Sequence, residues 1–281
     1  MNALEIKDLT KFFPGFTLDH LSLTLPSGCI LGLIGENGAG KSTTIKLILG
    51  MLQKDGGSIT VLGRDSGAQC ELTKEDVGVV MDEVGIPGCL TAAQTGRVMQ
   101  GIYRNWDSDE FERLVRRFAL PEKRQFKEYS RGMKMKLGIA VAMSHHSKLL
   151  LLDEATSGLD PVVRDEVVEL FNDFTRDETH AILISSHIVS DLEKLCDYIA
   201  FLHRGKLLLC EEKDVLLSEY GLVHCTAEEL HALPPEAVRY QRQSAYGAQA
   251  MVRRSALPAH MPVSPISIEE LFVFMVKGEN E

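Results

Sequence analysis

One stretch constrains the fold more than any other: LIGENGAGKSTTIKLILG, Leu33 to Gly50. The run CILGLIG, Cys29 to Gly35, is continuously apolar, and Ile45, Leu47 and Ile48 follow at helical spacing before the terminating Gly50. An unbroken apolar strand belongs in a sheet covered on both faces, so the segment reads as buried strand, glycine loop and helix. Gly35, Glu36, Asn37, Gly38, Ala39, Gly40, Lys41 and Ser42 fit the pattern G-x-x-x-x-G-K-[ST] in that setting. Such a loop turns backbone N–H groups onto phosphates, and the helix start through Lys41, Ser42 and Thr43 favours negative charge. Lys41 reaches the β and γ phosphates and Ser42 can ligate magnesium. The expected ligand is a nucleoside triphosphate.

The rest of the pattern extends this unit into an α/β sheet. LEIKDL near Leu4 and FTLDHLSLTL, Phe16 to Leu25, alternate like half-buried antiparallel strands and end in the turn Pro26-Ser27-Gly28. VGVVM (Val77 to Met81), LLLL (Leu149 to Leu152), AILIS (Ala181 to Ser185) and YIAFLH (Tyr198 to His203) read as core strands with helices between them, a mostly parallel sheet. Thr91 to Ser147 shows no strand pattern and reads as a helical subdomain, bounded at about 88–147, inserted between two core strands. The expected division is a main domain over 1–220 and a small accessory segment over 221–281. That segment is less regular, with Pro234-Pro235 and a polar run. Its last helix starts at a capping box, Ser267 with Glu270, and places Ile268, Leu271, Phe272 and Met275 on the face that packs against the main body.

Composition excludes several classes. Of the 281 residues 44% are apolar and 25% charged, an ordinary globular balance. No apolar run reaches the roughly 20 residues that span a bilayer. MNALEIKDLT lacks the basic and apolar regions of a secretory signal, so a cytoplasmic location is expected. A net charge of −10 argues against a nucleic-acid partner. Six cysteines, Cys29, Cys70, Cys89, Cys196, Cys210 and Cys225, form no C-x-x-C pair and read as buried, reduced thiols.

A second motif completes the chemistry. KLLLLDEATSGLD, Lys148 to Asp160, is a buried strand ending in adjacent carboxylates: Asp153 would hold magnesium through water and Glu154 could polarise the attacking water as general base.

GENGAGKST, YSRGMKMKLGIA, LLLLDEATSGLD and ISSH together resemble, in order and spacing, the ATPase subunits of ATP-binding cassette (ABC) transporters over about residues 1–220. The resemblance implies a P-loop NTPase fold of the ABC type, with an N-terminal antiparallel β-subdomain and an inserted helical subdomain. It also implies ATP and Mg2+ as cofactors, hydrolysis within a head-to-tail dimer with a second ABC ATPase subunit, and transmembrane permease subunits as partners. By the same resemblance Ser130 and Gly132 belong to the signature motif that grips the γ-phosphate of a partner's nucleotide, although Ser130 taken alone is equally a helix cap. His187 matches the switch histidine that contacts the γ-phosphate and steadies Glu154, and Asp160 matches the loop that communicates between the two sites.

The chain departs from the family pattern in three places. Tyr129, Arg131 and Met133 replace the first, third and fifth residues of Leu-Ser-Gly-Gly-Gln. The aromatic that stacks on adenine is commonly tyrosine; Phe13 fits that place best, with Phe12 and Phe16 as alternatives. Asp82 stands where a glutamine that touches magnesium and the membrane partner is expected, and reads as a metal ligand or as a hinge facing that partner.

His145-His146, Trp106 and the Met133/Met135 pair are read as packing and solvated groups, and EFERLVRR, Glu110 to Arg117, as an amphipathic helix with a charged outer face. The final SIEELFVFMVKG and the short helical subdomain resemble bacterial ABC-2 type exporters. Two alternatives stay open: a soluble ABC ATPase acting on ribosomes or DNA, and a nucleotide-sensing regulator that binds ATP without turnover.

Overall fold

The computed structural model describes residues 1–65, 75–244, 247–258 and 261–277. Cys70, one of the expected buried thiols, lies outside them. The chain opens with β1 (Asn2–Phe13) and β2 (Phe16–Pro26), an antiparallel pair as the alternation predicts, followed by β3 (Ile30–Ile34) and α1 (Lys41–Ile48). Next come β4 (Gly56–Val61), β5 (Arg64–Asp65) and β6 (Val77–Val80). β1, β2, β4 and β5 form one antiparallel sheet in the order β2-β1-β4-β5.

Helices α2 (Ala92–Gln100), α3 (Ser108–Arg117) and α4 (Arg131–Met143) occupy the predicted helical insertion before β7 (Leu149–Asp153). The chemistry at their starts explains their phase. Thr91 and Gln94 form a capping box at α2, Asp107 accepts from the Glu110 N–H at α3, and Ser130 accepts from the Met133 N–H at α4. After β7 the chain runs through α5 (Pro161–Phe174), β8 (Ala181–Ser186), α6 (Val189–Leu195), β9 (Tyr198–His203) and β10 (Lys206–Glu212). The main sheet has the order β10-β9-β3-β8-β7-β6, parallel from β9 to β6 and antiparallel only at β10.

Every residue of β3, β7 and β8 is buried, and the strand period divides them between two cores. Ile30, Ile34, Leu150, Leu152, Ile182 and Ile184 face α4, α5 and α6. Leu31, Leu33, Leu149, Leu151, Ala181 and Leu183 face α1 and the antiparallel sheet. Because both faces are covered, the only polar ends available to a ligand are the strand termini, where the parallel strands deliver their loops to one edge.

The C-terminal segment differs from its expected irregularity. After α7 (Lys213–Glu219), β11 (Tyr220–Cys225), α8 (Ala227–His231), β12 (Val238–Ser244) and β13 (Gly247–Arg253) build a three-stranded antiparallel sheet in the order β11-β13-β12. α9 (Ile268–Lys277) has the predicted Ser267/Glu270 box and packs against the main body. Its buried face is Ile268, Leu271 and Phe274, while Phe272 and Met275 are only half-buried; the Phe272 ring still reaches Phe201, centroids 5.2 Å apart. Not all the thiols are buried: Cys196 is enclosed, whereas Cys89 sits exposed on the loop before α2.

Candidate nucleotide site

The loops at the carboxyl ends of β3, β6, β7 and β8 converge on a cleft of ≈ 700 Å³. Its base is the glycine loop. Gly40 caps α1 with φ of 113°, a conformation that a side chain would strain, and no side chain caps the helix. Among the described residues the first N–H groups of α1 therefore have no side-chain cap, which suits them to an anion. Lys41 is nearly buried, with Nζ 2.7 Å from Gly35 O, 3.3 Å from Glu36 O and 3.4 Å from Glu154 Oε1.

The two carboxylates ending β7 stand in different environments. Asp153 is 2% exposed and its Oδ1 accepts from Ser185 Oγ at 2.6 Å. Glu154 turns into the cleft with φ of 55°, a left-handed conformation that costs a non-glycine residue roughly 1 kcal/mol or more. The adjoining strand holds it there, since its N–H donates to Ser185 O at 3.1 Å and to Ser185 Oγ at 3.2 Å. Its Oε2 lies 2.7 Å from His187 Nδ1. Glu154 thus has a lysine ammonium on one oxygen and an imidazole on the other.

The cleft lining includes Phe13, Phe16, Glu36, Asn37, Gly38, Gly40, Lys41, Ser42, Thr43, Asp82, Glu154 and His187 from among the sequence candidates. Gly35, Ala39 and Asp153 are buried and do not line the cleft. Of the three aromatic candidates, Phe13 and Phe16 line the cleft with ring centroids 6.3 Å apart, whereas Phe12 is 62% exposed and stands outside it. Ser130, Gly132 and Asp160 do not line this cleft; Ser130 caps α4 and Asp160 caps α5, accepting from the Val163 N–H at 3.1 Å. Three residues missed by the sequence reading complete the geometry. Arg131 and Ser157 line the cleft, and Ser185 bridges Asp153 and Glu154. Arg131 carried only the signal of an unexpected charge in the signature segment, and nothing in the buried strand AILISS singled out one serine.

A glycine loop at the end of a central parallel strand, a lysine within it and a paired Asp-Glu at the end of a nearby strand define a P-loop nucleoside triphosphatase. The family profile described as "ABC transporter" matches residues 18–157. The lantibiotic transport ATP-binding protein SrtF of Streptococcus pyogenes is 37% identical over 214 residues, 75% of this chain and 91% of that protein. The bacitracin transport ATP-binding protein BcrA of Bacillus licheniformis is 34% identical over 209 residues, 73% of this chain and 68% of that protein. Among solved structures, an ATP-binding subunit of an ABC transporter superposes with a TM-score of 0.69 at 29% identity, covering 75% of this chain and 90% of that one. The chain belongs to the ABC transporter ATP-binding proteins and is an ATPase subunit of a transport system.

Proposed function

We propose that the cleft binds ATP with its adenine against Phe13 or Phe16 and its phosphates on the loop from Gly35 to Thr43, and that Glu154 activates the attacking water. The observation that carries this reading is the contact of Glu154 with both Lys41, at 3.4 Å, and His187, at 2.7 Å. Lys41 is then the cation for the β and γ phosphates. His187 fixes the orientation of the Glu154 carboxylate so that one oxygen faces the water, the role a positioned hydrogen bond plays for a general base. Ser42, which lines the cleft, and Asp153, buried at the end of β7, would supply the hard oxygen donors that Mg2+ prefers. When bound, that ion would neutralise charge on the phosphates.

Ser130, Gly132 and Asp160 are assigned to a head-to-tail dimer, because they do not line the cleft that holds Lys41 and would reach nucleotide only on a second subunit. Among the described residues no helix is long and apolar enough to cross a membrane. Because the relatives are ATP-binding proteins of transport systems, the chain is proposed to attach at the inner membrane face through separate permease subunits. The two relatives are named for bacitracin and lantibiotic transport, which supports an exporter. Residues 1–220 are proposed as the ATPase domain and 221–281 as an accessory unit.

The test separates binding from chemistry. Lys41→Ala should lose ATP affinity, whereas Glu154→Gln should keep it and lose at least about 100-fold in turnover, the scale of a general base. Normal turnover in Glu154→Gln would remove the base assignment.

A further inference from the structure

Two of the chain's departures from the family pattern meet in space. Arg131 Nη2 donates to Asp82 Oδ1 at 2.5 Å across 49 residues of sequence. Arg131 begins α4, where its aliphatic stem lies near Gly158, and Asp82 follows β6. Both side chains line the nucleotide cleft. Among the lining residues Glu36, Asp82 and Glu154 are acidic, and only Lys41 and Arg131 are permanent cations. A polyanion entering this cleft meets an acidic excess, and every permanent cation there is already engaged.

The strand order fixes the direction of the cleft. Along the sheet the strands run β9, β3, β8, β7, β6, with the Phe16 ring against Gly40 on the β3 side and Asp82 at the β6 edge. Phosphates that start at the aromatic pair and pass Lys41 are therefore directed toward the side of the cleft that Glu154, Asp82 and Arg131 line. The side chains of Arg131 and Asp82 are 56% and 51% exposed, so their ion pair gains little in water. A terminal phosphate carries more charge and matches the planar guanidinium fork in two parallel hydrogen bonds.

We propose that Arg131 contacts the terminal phosphate of the nucleotide in its own chain's cleft, exchanging Asp82 for it, and so discriminates ATP from ADP. The proposal rests on the ATP-site reading above. It is separate from the role assigned to Ser130 and Gly132, which would act on the partner's nucleotide. Asp82 is then the counter-ion that holds Arg131 until a γ-phosphate displaces it.

The experiment is calorimetric titration of the full chain with ATP and with ADP in EDTA, which suppresses turnover, at protein concentrations where light scattering reports monomer. Circular dichroism melts confirm that each variant folds. Arg131→Ala should weaken ATP about tenfold, the scale of one charge-assisted contact, and ADP by less than about threefold. Arg131→Lys should recover part of the loss. Asp82→Ala should tighten ATP, because it removes both a competing partner and a negative charge. In the Asp82→Ala background Arg131→Ala should cost more than in the wild type, since Arg131 is no longer shared. Equal losses for ATP and ADP would overturn the proposal. So would Arg131→Ala and Asp82→Ala shifting affinity in the same direction, the mark of a structural strut, or a loss that appears only where dimer forms. Lys41→Ala is the control: if it binds ATP as the wild type does, the ATP-site reading itself fails, whereas lost binding there beside an unchanged Arg131→Ala sinks only the present inference.

Discussion

Replacing Ser185 by alanine should damage stability and turnover together, because one hydroxyl serves both carboxylates of the site. Ser185 is fully buried in β8; its Oγ donates to Asp153 Oδ1 at 2.6 Å and accepts from the Glu154 N–H at 3.2 Å. The Glu154 amide keeps a second acceptor, Ser185 O at 3.1 Å, so the loss falls mainly on Asp153. A hydrogen bond to a charged group contributes about 1.5–3 kcal/mol, and Asp153 is too buried to replace it with bulk water, so a loss of about 2 kcal/mol is expected. The alanine removes almost no volume, which leaves the cavity cost small beside this. Turnover should fall about tenfold or more, since the strand that holds Glu154 in its left-handed turn is loosened and misplacement on the order of 1 Å is enough for such losses. Urea unfolding followed by circular dichroism gives the first quantity and steady-state phosphate release the second. Ser185→Cys has similar shape but offers only a weak S–H donor, so it should fall between the wild type and Ser185→Ala. A change below about 0.5 kcal/mol, the range of an unremarkable surface substitution, together with turnover within about twofold, would refute the reasoning.

Two further perturbations probe the frame around the site. Gly205 (φ 79°) closes the β9–β10 turn with its N–H on Ala39 O of the phosphate loop at 2.9 Å, and a Cβ there would lie 1.8 Å from Thr17 O. Gly205→Ala should therefore cost at least about 2 kcal/mol in a thermal or urea melt and weaken ATP binding in calorimetry, and a melt equal to wild type would contradict it. His145 is fully buried, stacked on Tyr103 with centroids 4.0 Å apart, and burial first of all lowers its pKa from 6.5, outweighing the hydrogen bond to Glu75 O. With the folded value depressed, the unfolded chain binds the extra proton, so stability is complete above about 6.5 and declines as pH falls below it, by no more than about 1.4 kcal/mol per pH unit for one proton. His145→Phe, which keeps the stack, should flatten that part of a stability–pH curve; an unchanged slope would show that other groups set it.

The central strands were legible because their burial is uniform: CILGLIG, KLLLLD and AILIS have no polar face, and only a sheet covered on both sides accepts such runs. The glycine loop and the Asp-Glu pair were legible because their chemistry demands particular residues at fixed spacing. The C-terminal sheet was hidden for the opposite reason. β12 is VRYQRQS, in which charged and amide side chains obscure the alternation, and Val238 and Tyr240 keep to the pattern too briefly to be seen. β10 follows β9 through a two-residue turn, Arg204-Gly205, both at positive φ, which a reading centred on parallel strands passed over.

Arg131 and Asp82 illustrate a different limit. Each was visible as a departure, an extra cation in one motif and an extra anion in another, yet their relation is a fact of topology. β6 is the edge strand paired with β7, and α4 packs along β6, so the loop after β6 and the first turn of α4 meet at one end of the sheet. The opposite signs are what such a meeting requires, since either charge alone would alter the balance of a cleft built for phosphate. Because Arg131 and Asp82 pair, a substitution at either one acts on both. Asp82→Ala does not simply delete a possible metal ligand; it frees a guanidinium beside the phosphates. Its effect on nucleotide affinity should therefore carry the opposite sign from that of removing Arg131.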